Sequence, residues 1–121
     1  VRVLYVDDEP DIREIASLAL SLDAGMEVET AGSGAEAVIR ASQWRPDIIL
    51  LDVMMPEMDG PTTLAALRKN ADTADIPVVF ITARTQAQEV ETFKRLGAVS
   101  VIPKPFDPMA LAAQVRALGR A

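Results

Sequence analysis

Asp7 and Asp8, Asp52, Thr82 and Lys104 each stand directly after a short run of apolar residues. Brought together, they would offer three carboxylates, a hydroxyl and an ammonium. Clustered carboxylates repel one another, so such a site either raises a pKa or binds a cation. With only oxygen donors available the cation would be hard, Mg²⁺ or Mn²⁺, which pairs one or two carboxylates with phosphate and water. A lysine ~4 Å from an oxyanion contributes roughly 4 kcal/mol before desolvation at an effective dielectric near 20. The Thr82 hydroxyl can donate to one further oxygen. Carboxylate nucleophile, divalent metal, lysine and hydroxyl together describe a site that accepts a phosphoryl group on Asp52.

The surrounding pattern puts these residues at one edge. Val1–Val6 is rich in β-formers and ends at Asp7-Asp8-Glu9-Pro10. The run Ile48-Ile49-Leu50-Leu51 reads as a strand buried on both faces, with Asp52 at its carboxyl end and Pro56 and Asp59-Gly60 breaking the loop beyond. Pro77–Ile81 is a second such run, ending in Thr82-Ala83-Arg84. Val99–Ile102 ends in Lys104-Pro105-Phe106, and Met26–Ala31 alternates as a half-exposed edge strand does. Helical spacing covers Asp11 to Leu22, with Ile15, Leu18, Ala19 and Leu22 as its apolar face. Ser33-Gly34-Ala35-Glu36 is a capping box opening a helix to about Ser42, and Pro61 starts another with Leu64 and Leu67 inward. A fourth helix spans Gln86–Leu96 with Val90, Phe93 and Leu96 on one face and Gly97 as its stop. The last opens at Asp107-Pro108 with Leu111, Val115 and Leu118 inward. Five strands alternating strictly with five helices predict a doubly wound parallel sheet, helices on both faces, in one domain spanning residues 1–121. Ligands of such sheets bind at the carboxyl ends of the strands.

Composition narrows the chemistry further. The 121 residues include no histidine and no cysteine, which removes histidine acid–base catalysis, Ser-His-Asp triads, disulfides and thiolate metal sites. Half the residues are hydrophobic and a quarter charged, as in globular domains. The net charge of -6 argues against direct nucleic-acid binding by this domain. No apolar stretch approaches the roughly 18 residues of a membrane span and no signal peptide opens the chain, so a cytoplasmic location is expected.

Val6-Asp7-Asp8-Glu9-Pro10, Leu51-Asp52-Val53-Met54-Met55-Pro56-Glu57-Met58-Asp59-Gly60, Ile81-Thr82-Ala83 and Lys104-Pro105-Phe106 strongly resemble, in order and spacing, the receiver domain of bacterial two-component response regulators. The resemblance implies a flavodoxin-like sheet of order 2-1-3-4-5 and makes Asp52 the phosphoacceptor. It implies direct Mg²⁺ ligation by Asp8, Asp52 and the backbone carbonyl of Met54, with Asp7 acting largely through water. Lys104 would contact the phosphoryl oxygens, Thr82 would swing toward them on activation, and the Lys104-Pro105 peptide would be cis. Ile12, Pro105 and Phe106 match positions that meet a histidine kinase or phosphotransfer protein. A receiver accepts a phosphoryl group and changes conformation to regulate a partner or output domain; it does not turn over external substrates.

Three departures from the family pattern carry expectations. The switch position three residues before the lysine, aromatic in relatives, is Val101, so an aromatic rotamer switch is expected to be absent. The segment Gly97–Val101 lacks the acidic pair of the DNA-binding branch, which points to a monomer or weak homodimer and leans toward a stand-alone regulator. Met54 and Arg84, the positions that tune attack of water on the phosphoryl group, are poor water orienters, so slow dephosphorylation is expected. Competing readings fit less well. A flavin phosphate would be repelled by Asp7-Asp8-Glu9, and a dehalogenase-type phosphatase needs an acid where Met54 stands. A phosphate shuttle within a phosphorelay, or a degenerate receiver serving as a binding module, are the alternatives within the family.

Overall fold

A computed structural model describes residues 1–119. Five parallel strands, β1 (Arg2–Val6), β2 (Glu27–Ala31), β3 (Ile48–Asp52), β4 (Val78–Thr82) and β5 (Ser100–Pro103), form one sheet of order β2-β1-β3-β4-β5. The helices α1 (Pro10–Ser21), α2 (Gly34–Trp44), α3 (Gly60–Lys69), α4 (Ala87–Arg95) and α5 (Leu111–Gly119) alternate with them. This is the doubly wound sheet that the alternation predicts, in the flavodoxin-like order that the receiver resemblance implies.

Successive strand residues face opposite sides, so each buried strand feeds two cores. Leu4, Val6, Ile49, Leu51, Val78 and Phe80 meet Ala37 and Ala41 of α2 and Leu64 and Leu67 of α3. Val3, Tyr5, Ile48, Leu50, Val79 and Ile81 meet Ala16, Ala19 and Leu20 of α1 and Leu111 and Val115 of α5. Ile48–Leu51 is fully buried, as a central strand covered on both faces must be. Burying each such side chain contributes ~1.5–3 kcal/mol. β2, at the sheet edge, keeps its acidic residues partly exposed.

Local chemistry sets the boundaries. The Ser33 side chain accepts from Glu36 N–H at 3.1 Å, while the Glu36 carboxylate reaches back to Gly32 N–H at 2.8 Å. The helix runs two residues past the expected Ser42, ending where Arg45 takes a left-handed φ of 58°. Asp59 caps α3 through Thr62 N–H at 2.9 Å, with Pro61 in its first turn.

Four expectations fail. Of the expected face only Ala19 is buried: Ile15 and Leu18 of α1 and Leu22 at its C-cap are exposed, at 44, 65 and 67 %, and the buried stripe is Ala16, Ala19 and Leu20. Both stripes have helical spacing; the sheet takes the one whose alanines allow close approach, and the Arg13 side chain pins that rotation by donating to Asp7 O. The last helix starts at Leu111, because Asp107 instead closes a turn, its side chain accepting from Met109 N–H and its carbonyl from Ala110 N–H. Leu96 is half exposed, and α4 has no fully buried residue. Val99 precedes β5 and is exposed, whereas Val101 packs against the α2–α3–α4 core.

Candidate functional site

The parallel strands bring Asp7, Asp52, Thr82 and Lys104 to the carboxyl edge of β1, β3, β4 and β5. The carboxylates of Asp7, Asp8 and Asp52 each offer an oxygen, all within 4.8 Å of one another. Asp7 and Asp52 are buried and Asp8 is half-buried.

Asp7 is the best anchored. Its N–H donates to Ala31 O at 3.1 Å, at the end of β2. Its Oδ1 accepts from Glu9 N–H at 3.0 Å. Its Oδ2 accepts from Lys104 Nζ at 3.1 Å and from the Tyr5 hydroxyl at 3.3 Å. The same Lys104 ammonium lies 3.5 Å from Asp52 Oδ2, so one cation bridges two carboxylates. Lys104 is itself held in place, since its N–H donates to Thr82 O at 2.9 Å and its peptide to Pro105 is cis. Thr82 Oγ1 accepts from Arg84 N–H at 3.0 Å, within the loop after β4. The loop after β3 closes through Gly60 N–H to Val53 O at 2.9 Å.

One cation does not balance this charge. Burial, and after it the negative charge of Asp7, push the Asp52 carboxyl up from 3.8 to about 6 against the pull of Lys104 and a backbone N–H of Met54. Partial burial alone would lower the Lys104 pKa, but its hydrogen bond to Asp7 and the two carboxylate charges hold it above the ordinary value. Burial first, then the neighbouring Asp7, hold the Tyr5 phenol protonated far above its usual range. An excess of close carboxylate oxygens with a half-exposed member at the mouth fits a hard divalent cation.

The remaining candidates flank this centre. Met54 is 68 % exposed and lines, with Arg84, Glu89 and Phe93, a cavity of about 450 Å³ beside α4. The Arg84 guanidinium Nη1 lies 3.9 Å from the Glu89 carboxylate. On the opposite face of the sheet, Ile12, Ile15, Lys104, Pro105, Phe106 and Pro108 line an apolar groove of about 370 Å³. Val101 is apart from the cluster, in the core under α4. The sequence reading missed Tyr5 and Gly60. Tyr5 lies two residues before Asp7, hence on the same face of β1, which was a usable signal. A Cβ at Gly60 would lie 2.8 Å from Asp52 O and 2.9 Å from Val53 Cα, a close approach no local pattern reveals.

Fold and site define a doubly wound α/β protein with an acidic cluster and a lysine at the carboxyl edge of its sheet. The chain belongs to the response regulator receiver domain family, whose pattern matches residues 3–116. It is 41 % identical over 119 residues to the DNA-binding dual master transcriptional regulator RpaA of Synechocystis, covering 98 % of this chain and 49 % of that protein. It is 40 % identical to the response regulator MprA of Mycobacterium leprae, covering 99 % of this chain and 51 % of MprA. The chain thus spans about half the length of these relatives. Among solved structures it resembles the chemotaxis protein CheY4 of Vibrio cholerae, with a TM-score of 0.89, 36 % identity and 98 % of each chain covered. It also resembles the receiver domain of a histidine kinase from Syntrophus aciditrophicus, with a TM-score of 0.83, 34 % identity, and 98 % and 89 % of the two chains covered.

Proposed function

We propose that residues 1–121 form a receiver domain in which Asp52 takes a phosphoryl group from a histidine kinase or histidine phosphotransfer protein in the cytoplasm. An Asp52 oxygen forms the new P–O bond as the donor's P–N bond breaks, and the leaving imidazole is protonated. The observation that carries this reading is the Lys104 ammonium between Asp7 and Asp52 inside a three-carboxylate cluster. Asp8, Asp52 and the Met54 carbonyl would hold Mg²⁺ or Mn²⁺, with Asp7 acting largely through water. Bound there, the ion supplies neutralisation of the phosphoryl oxygens.

The chain's own groups do the rest. Lys104 pairs with the phosphoryl oxygens left uncompensated on its side. The Thr82 hydroxyl exchanges its loop contact with Arg84 N–H for a phosphoryl oxygen, which would move the loop into α4. The groove beside Ile12, Pro105 and Phe106 abuts Lys104 and suits an apolar helix of the phosphodonor. Apolar Met54 and cationic Arg84 beside the acceptor support slow hydrolysis of the acyl phosphate.

The test is incubation with acetyl phosphate and Mg²⁺, with mass spectrometry of the wild type and Asp52→Asn. One phosphoryl adduct per chain, mapping to Asp52 and absent from the variant, is expected. Failure of the wild type to label under these conditions would overturn the reading in favour of a degenerate receiver.

A further inference from the structure

The side chain that pins the rotation of α1 also clamps the acidic loop between β1 and α1. The half-buried Arg13 guanidinium donates to Asp7 O at 2.8 Å, and Arg13 N–H donates to Glu9 O at 3.1 Å. The guanidinium thus holds the carbonyl of the Asp7–Asp8 peptide, while the Arg13 N–H makes the ordinary i→i−4 bond of the helix. The α1 N-terminus has no side-chain cap of its own, since Glu9 makes no capping bond. Asp7 is further tied by its carboxylate, and Asp52 is fixed by β3. Asp8, the most exposed of the three, is oriented by the peptide that Arg13 holds.

The approach is permitted by Gly32, in the loop between β2 and α2. A Cβ there would lie 3.1 Å from the Arg13 Nη1. The same glycine donates its N–H to the Glu36 carboxylate of the α2 capping box. Arg13 thus lies close against a second loop.

We propose that Arg13 is a positioning residue for the divalent-cation site, holding the Asp7–Asp8 peptide so that the Asp8 carboxylate converges with those of Asp7 and Asp52. This rests on the phosphoacceptor reading above. The sign of its effect distinguishes it from simple electrostatics. A cation near the acidic cluster is repelled by a nearby guanidinium, so by charge alone removing Arg13 would tighten Mg²⁺ binding. As a positioning group its removal loosens binding, and losing such a supporting hydrogen bond to a metal site costs about 10-fold in affinity.

The experiment titrates magnesium chloride into wild type, Arg13→Met, Arg13→Lys and Asp8→Asn by calorimetry, with urea unfolding in EDTA alongside. Expected are dissociation constants about 10-fold weaker in Arg13→Met and weakened in Arg13→Lys as well, because a lysine keeps the charge but its ammonium ends one bond short of the Nη1 that reaches Asp7 O. In acetyl phosphate labelling, the Mg²⁺ concentration for half-maximal rate rises by the same factor, while the rate at saturating Mg²⁺ falls by no more than about 2-fold. Tighter or unchanged Mg²⁺ binding in Arg13→Met overturns the proposal, even if that variant is less stable in EDTA. If Arg13→Met does not fold, unchanged binding in Arg13→Lys overturns it equally. Failure of the wild type to bind Mg²⁺ or label Asp52 would instead strike the functional reading itself.

Discussion

Asp52→Asn should stabilise the metal-free protein at neutral pH. In the folded chain the Asp52 carboxyl is pushed from 3.8 to about 6, first by burial and then by Asp7. Each pKa unit is worth about 1.4 kcal/mol, so holding this group ionised costs the fold on the order of 2–3 kcal/mol. A raised carboxyl pKa gives stability that is fully present below the unfolded value and lost as pH rises through the folded one. The wild type should therefore lose ground to Asp52→Asn between about pH 4 and pH 6, and the gap should level off above that. The variant leaves no orphaned cation, because Lys104 still meets Asp7 at 3.1 Å. The assay is urea unfolding followed by the single tryptophan, Trp44, in EDTA across that range. At pH 8 the variant should be more stable by on the order of 2 kcal/mol, a rise in melting temperature of roughly 8 °C. At pH 4 and below the two proteins should coincide. Added Mg²⁺ should shrink or reverse the gap, since a ligand at 100 times its dissociation constant adds about 2.7 kcal/mol to the protein that binds it. An Asp52→Asn variant equal to or weaker than wild type at pH 8 in EDTA would refute the charge argument.

Other variants test the surrounding structure. Gly60→Ala should destabilise by about 1–3 kcal/mol in urea, because the new Cβ meets backbone atoms of Asp52 and Val53 that cannot swing aside. On α1, Leu18→Glu should change stability by less than about 0.5 kcal/mol and Leu20→Ala should cost about 2–5 kcal/mol, the reverse of what the Ile15–Leu18–Leu22 stripe suggests. Arg84→Ala should shorten the lifetime of phospho-Asp52 by roughly 2–5-fold, the scale of one exposed ion pair, and added salt should erode the difference. Amide hydrogen exchange should be faster in α4 than in α3, since α3 buries Leu64 and Leu67 whereas α4 buries nothing fully.

The fold was legible because it is written in repetition. Strict alternation of apolar strands with capped helices leaves few topologies, and in a parallel sheet every strand end lies on one side. That geometry alone brings Lys104 to Asp7 across 97 positions of sequence. The sequence did not disclose the phase of α1. Ala19 is read inward and is buried, but Ile15, Leu18 and Leu22 are larger than Ala16, and periodicity weighs size where the sheet weighs closeness of approach. Tyr5 looked like one more core residue, since its hydroxyl matters only once Asp7 is known to lie beside it. Gly60 gave no turn signal beyond Asp-Gly, and its role depends on how tightly the loop folds back over the end of β3.

The same packing gives a physical reason for valine at position 101. In the β4–β5 register Val101 sits beside Phe80 on the same face of the sheet. The Phe80 ring already meets Phe93 of α4 edge to face, with centroids 5.1 Å apart and planes at 71°. Two rings occupy the space between strand and helix, and Val101 fills what remains of that face. Under the proposed function, a signal from Asp52 would pass through groups that can still move. Thr82 is one, its hydroxyl bonded, among the described residues, to Arg84 N–H alone. Arg84 is another, exposed and 3.9 Å from Glu89 in the first turn of α4. Coupling through Thr82, the loop and the N-terminus of α4 needs no rotamer change at Val101, and a loosely buried α4 is the element that such a pull would shift. A phosphorylated structure in which Val101 repacks while the Thr82–Arg84 loop stays fixed would contradict this route.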